Sequence, residues 1–148
     1  MRQSLGSEEQ NAWERACPRA ITSDVIWKLD AYRAALFLLH VSRGDCKTML
    51  SARPGTVVAE QLARAAGSVS ANLGEGYSRS TRADRIRFLD YALGSARECV
   101  TWYQAARDLL PDDVIDERLS LLTRIRSLLL GLIRVVRGIK RDGPPFEA

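Results

Sequence analysis

Residues 61–109 read QLARAAGSVSANLGEGYSRSTRADRIRFLDYALGSARECVTWYQAARDL, and this stretch decides the fold. Its first part continues an apolar stripe of Val58, Leu62, Ala65, Val69 and Leu73, which recur at helical spacing. Small residues repeat every fourth position alongside it, at Ala59, Ala63, Gly67 and Ala71, a ridge that lets a partner backbone come close. Gly67, Gly74 and Gly76 each cost roughly 1 kcal/mol against Ala in a helix interior, so close packing or helix termination has to compensate. Gly76 is read as the left-handed residue that ends this helix, and Asn72, Glu75, Gly76 and Thr81 as a capped structural turn. Ser80 or Thr81 caps the next helix, with Thr81-x-x-Asp84 imitating a capping box, and no breaker follows until about Leu110.

The pattern extends to both sides. Ser23 or Asp24 opens an earlier helix whose stripe is Val25, Leu29, Tyr32, Leu36 and Leu39; Arg43-Gly44-Asp45 marks its end, and the chain to Gly55 reads as a loop or short extra turn. After Pro111, Asp112 and Asp113 suit the positive end of a last helix. Leu122, Ile125, Leu129, Leu132, Val136 and Ile139 then alternate spacings of three and four, the rhythm of bundle packing, in a helix of about 40 Å. Leu121, Leu128, Val135, Leu119, Leu130 and Ile133 widen that stripe. The fold class is all-α: an up-down four-helix bundle over residues 23–141, with an N-terminal extension at 1–22 and a flexible tail at 142–148. In the extension, Ser7-x-x-Gln10 suggests a short capped helix carrying Trp13. The last two helices have more apolar surface than one bundle buries, which predicts a homo-oligomer.

Several function classes are unsupported by the 148 residues. There is no phosphate-binding glycine loop, no dinucleotide fingerprint and no nucleophile elbow. A single histidine cannot build paired Glu-x-x-His metal sites, so no metal or other cofactor is expected. Cys17, Cys46 and Cys99 are odd in number and form no C-x-x-C pair, as in a reducing compartment. With no apolar run of membrane or signal length, the expected location is the cytoplasm.

The net charge is +4, and of 22 basic residues only Lys28, Lys47 and Lys140 are lysine. Arginine presents a planar fork suited to phosphate, although a solvated basic surface satisfies the same composition. Arg79, Arg82, Arg85 and Arg87 fall at a helix start, with only Asp84 opposing them locally, and are the candidate nucleic-acid-binding residues. A second basic group, Arg134, Arg137, Lys140 and Arg141, ends the last helix, where cations also complement the dipole. Arg33 and His40 form the one Arg–His pair that could act on a phosphodiester, as in HEPN ribonucleases; any helix produces such a pair by chance.

VIWKLDAYR at residues 25–33, NLGEGYSR at 72–79 and RFLDYALGSARE at 87–98 resemble the four-helix-bundle proteins encoded in intervening sequences of bacterial 23S rRNA genes, over roughly Val25 to Gly138. The resemblance implies a ring of five subunits and no catalytic residues. A related branch, the accessory variability proteins of diversity-generating retroelements, implies a basic surface that binds RNA or DNA and a reverse transcriptase. The main expectation is therefore a non-enzymatic oligomer that binds nucleic acid or a nucleic-acid-handling partner through arginine. A scaffold that only binds protein, and an RNA-cleaving enzyme using Arg33 and His40, stand as alternatives.

Overall fold

A computed structural model describes residues 7–138. Six α-helices make up the described chain: α1 (Glu8–Ala16), α2 (Arg19–Thr22), α3 (Asp30–Leu50), α4 (Thr56–Ser78), α5 (Arg82–Ala105) and α6 (Asp112–Val136), with 3-10 turns at Val25–Lys28 and Arg53–Gly55. No strand occurs among the described residues. No helix among them is long and apolar enough to cross a membrane.

The four long helices form a helical bundle in which α3 packs on α4, α4 on α5, α5 on α6, and α6 back on α3. Short connections make each reverse direction on its predecessor. The interior is filled by Leu38, Met49, Leu62, Val69, Leu73, Ile115, Leu122, Ile125 and Leu129, all fully buried. Alanines at 31, 34, 35, 59, 65, 66, 92 and 96 let the axes approach.

Local chemistry places the helix ends. Ser7 Oγ accepts from Gln10 N at 3.2 Å to cap α1, and Thr81 Oγ1 accepts from Asp84 N at 3.2 Å to cap α5. Asp24 Oδ1 accepts from Ile26 N at 3.1 Å, and so caps a 3-10 turn rather than a long helix. Helix α3 begins only at Asp30.

Four expectations need correction. The chain is helical through Arg43-Gly44-Asp45 to Leu50, because Asp45 faces inward to buried polar partners and Cys46 and Met49 extend the core by another turn. The buried residues of α3 are Ala31, Ala34, Ala35, Phe37, Leu38, Val41, Ser42, Asp45, Cys46 and Met49; Val25 is exposed and Leu29, Tyr32, Leu36 and Leu39 are half-buried. Alanines take the positions where axes approach, and Leu38 and Met49 fill the interior beside them. On α4 the same logic displaces the expected ridge: Ala63 and Ala71 are exposed, while Ala65, Ala66 and Ser70 are buried.

The expected turn at residues 72–76 is helix instead. Helix α4 continues through Asn72, Glu75 and Gly76 to Ser78. Gly76 is helical, and the only positive φ among the described residues is at Gly138. What Gly76 supplies is proximity: a Cβ there would stand 3.0 Å from Phe88 Cβ and 3.3 Å from the Arg85 carbonyl oxygen of α5. Asn72 Nδ2 donates to Ser68 O at 2.8 Å within α4, and the reversal itself is only Arg79 to Thr81. Ile139, Lys140, Arg141 and the tail at 142–148 lie outside the described residues.

Helix α1 folds back on α3. Trp13 packs between Trp27, Phe37 and His40, with ring centroids 6.3, 5.6 and 5.7 Å away. Gln10 bonds both Arg124 of α6 and Glu14, and Glu14 pairs with Arg33 at 3.5 Å.

Burial also sets the thiol chemistry. Cys99 is fully enclosed, and desolvation first, then Glu98, push its pKa from 9.0 to about 12. Burial likewise raises Cys46, whose Sγ donates to Ala59 O at 3.3 Å, while Cys17 at the end of α1 is partly exposed. Burial, then the Asp45 carboxylate, raises the Tyr103 phenol. These acids stay neutral in the folded chain and ionise more readily when it unfolds. The stability they contribute is complete below pH 9 and is lost as pH climbs towards 12. Thiol titration of the native protein at about pH 8 is expected to modify Cys17 alone, with all three reacting in denaturant, and melting temperature should fall progressively above about pH 9.

Candidate nucleic-acid interface

The reversal between α4 and α5 gathers all four candidate arginines on one exposed surface, and each is held differently. Arg79 pairs with Glu75 one turn back on α4, and its guanidinium lies 4.8 Å from the centroid of the Phe88 ring. Arg87 pairs with Asp84 at 3.2 Å and lies 5.3 Å from the same ring. Arg85 Nε donates to the Arg79 carbonyl oxygen at 2.6 Å, satisfying an acceptor left free where α4 ends. Arg82 opens α5 and faces solvent.

Phe88 organises the group. Gly76 admits its Cβ against α4, which fixes the ring between Arg79 and Arg87 as a cation–π base. Two of the four charges are then balanced locally by Glu75 and Asp84. No carboxylate among the described residues pairs with Arg82 or Arg85, and both sit where the α5 dipole is positive. The residues around Arg79 thus present surplus positive charge on exposed planar groups.

Tertiary packing brings an arginine of the second basic group to this end. Arg137, at the end of α6, reaches Asp90 of α5 at 3.9 Å. Arg137, far from Arg79 to Arg87 in the chain, therefore lies at the same end of the bundle as the start of α5. Arg134 lies one turn before Arg137 and is exposed. The signal was present in the topology: with each helix reversing, the start of α5 and the end of α6 must share an end.

The remaining candidates resolve into packing. Arg33 donates to Trp27 O and to Asp30, and pairs with Glu14, so its guanidinium is committed to tying α1 and the 3-10 turn to α3. His40 stacks on Trp13 and Phe37 instead, so the two residues serve separate contacts. Glu75 serves Arg79, Thr81 caps α5, and Asn72 bonds within α4.

Sequence reading missed a buried polar network at the opposite end. Asp45 of α3 accepts from Tyr103 Oη of α5 at 2.6 Å and from Arg118 of α6 through Nε at 2.8 Å and Nη2 at 3.3 Å. All the groups are partnered, and among the described residues no buried side-chain polar atom lacks a hydrogen bond. A tripeptide read as a loop gave no reason to look for an interior carboxylate. A groove beside Arg118 and Arg124 separates the start of α1 from α6; its rim is acidic, with Glu8, Glu9, Asp116 and Glu117.

The model of the family described as 23S rRNA-intervening sequence protein matches residues 33–131. Among solved structures, a protein of unknown function from the S23 ribosomal protein family of Bacteroides thetaiotaomicron is similar, with 23% identity over 70% of this chain and 98% of that chain, and a TM-score of 0.67. At that identity the likeness concerns the fold. No curated protein matches. With two thirds of its length matched by the family model, from within α3 to within α6, this chain belongs to the 23S rRNA-intervening sequence protein family.

Proposed function

We propose that this protein is a non-enzymatic, cytoplasmic, up-and-down four-helix bundle that self-associates and binds nucleic-acid phosphate through Arg79, Arg82, Arg85 and Arg87. The observation that carries the reading is that Arg137, at the end of α6, reaches Asp90 of α5, the helix that opens with the arginine cluster. Two separate solvated faces would each have a modest field; one combined end concentrates it, and assembly into a ring would repeat it around a symmetry axis. Self-association, as a pentamer by the family resemblance, is supported by apolar side chains left exposed on α5 and α6, namely Val100, Leu130 and Val135. Helix α1 acts as an arm on the bundle, and a reverse transcriptase or other nucleic-acid-handling protein is the class of protein partner the surface would serve.

Replacing Arg79, Arg82, Arg85 and Arg87 together by Ala tests the assignment, since all four are surface residues and the core is untouched. With structured RNA, the slope of log affinity against log salt should become shallower by about 3 to 4, close to one for each phosphate that is no longer neutralised. Circular dichroism should report an unchanged helix content. An unaltered slope would return these arginines to a solvation role and favour the scaffold reading.

A further inference from the structure

We infer that the basic end of the bundle prefers single-stranded nucleic acid and that Tyr91 is the platform on which an unpaired base stacks. This rests on the phosphate-binding reading above and specifies which form of nucleic acid that surface takes. The geometry separates two aromatic roles. The Phe88 ring is flanked by the guanidiniums of Arg79 and Arg87, at 4.8 and 5.3 Å, so it serves as their support. Tyr91, one turn further along the same face of α5, meets Phe88 edge-on, with planes at 88° and centroids 5.7 Å apart. Tyr91 is itself 53% exposed, a large apolar surface on an otherwise charged face.

Gly94 follows Tyr91 by a further turn, and a side chain added there would enter open space. On the other side is Arg87, and next to Tyr91 in sequence is Asp90, which brings in Arg137. An aromatic face with arginine on one side and a bare stretch of helix on the other matches what a splayed-out base and its phosphates require: a flat partner for the base, room for it, and cations nearby for the backbone. A duplex, its bases paired and stacked, would use the cations and leave the ring idle.

Fluorescence anisotropy with labelled oligoadenylate, oligodeoxyadenylate and a duplex of equal phosphate count tests this, using wild type, Tyr91→Ala and Tyr91→Phe. The wild type should bind the single strands more tightly than the duplex. Tyr91→Ala should weaken single-strand binding about fivefold or more while leaving duplex binding unchanged, and Tyr91→Phe, which keeps the ring, should restore it. Comparing the ribose and deoxyribose strands tells whether RNA or DNA is favoured; either preference fits a stacking platform. Equal affinity for single strand and duplex, or an unaffected Tyr91→Ala, overturns the inference while leaving the arginine reading intact. Failure of the wild type to bind any of the three at low salt overturns the arginine reading as well. A change of oligomeric state in Tyr91→Ala by light scattering would assign the ring to contact between copies and also overturn it.

Discussion

Arg118→Ala is expected to destabilise the fold by about 3 to 5 kcal/mol, measured by urea denaturation at neutral pH. The side chains of Arg118 and Asp45 are only 12% and 8% exposed, and the guanidinium supplies two of the three hydrogen bonds that reach the carboxylate. Truncation leaves that carboxylate inside the bundle with the Tyr103 hydroxyl as its remaining donor, and an uncompensated interior charge costs far more than the intact pair contributed. Replacing all three groups with apolar ones of similar volume, as Asp45→Leu, Arg118→Met and Tyr103→Phe, should recover much of the loss. If Arg118→Ala costs less than about 1 kcal/mol, the carboxylate has water or another cation within reach, and the network does not tie α3, α5 and α6 together.

Gly76→Val is expected to cost about 3 kcal/mol, by the same measurement. A single added carbon would stand 3.0 Å from Phe88 Cβ and 3.3 Å from a backbone carbonyl of α5, neither of which can swing away, and valine adds two methyl groups to that contact. Gly76→Ala should cost less, about 1 to 2 kcal/mol, because alanine regains up to about 1 kcal/mol of helix propensity. Gly94→Ala is the control: its added carbon meets nothing within 4 Å, so the same substitution should stabilise by about 0.5 to 1 kcal/mol. A gain at both positions would mean that α4 and α5 do not pack closely at Gly76. Because Phe88 supports Arg79 and Arg87, the proposed nucleic-acid binding should also weaken in the valine variant, in proportion to how far that ring is displaced.

The contrast between these glycines shows where sequence reading stops. Helical periodicity showed where the long helices lie, because burying a face imposes a repeat that survives in the residues themselves, but on α3 the stripe it marked is not the buried face and the ends differ. The Thr81 cap, the Ser7 cap and the start of α6 after Pro111 were equally legible, since caps are made by side chains within a few positions of the backbone they serve. Gly76 was misread for the opposite reason. A glycine near a helix end usually marks a left-handed residue, and nothing local distinguishes it from one that makes room for another helix. Its meaning lies on the next helix, at Phe88.

The same division applies to the candidate site. The chain alone named Arg79, Arg82, Arg85 and Arg87, because their density in one segment is visible without coordinates. It could not say that α6 would bring Arg137 to Asp90, that Phe88 would anchor two guanidiniums, or that Asp45 would be an interior anion rather than a loop residue. Sequence order records composition and short-range spacing, and helix formation depends on little else. Charge fields, close approaches and buried networks depend on which helix ends meet, a matter settled by packing four stripes around one core.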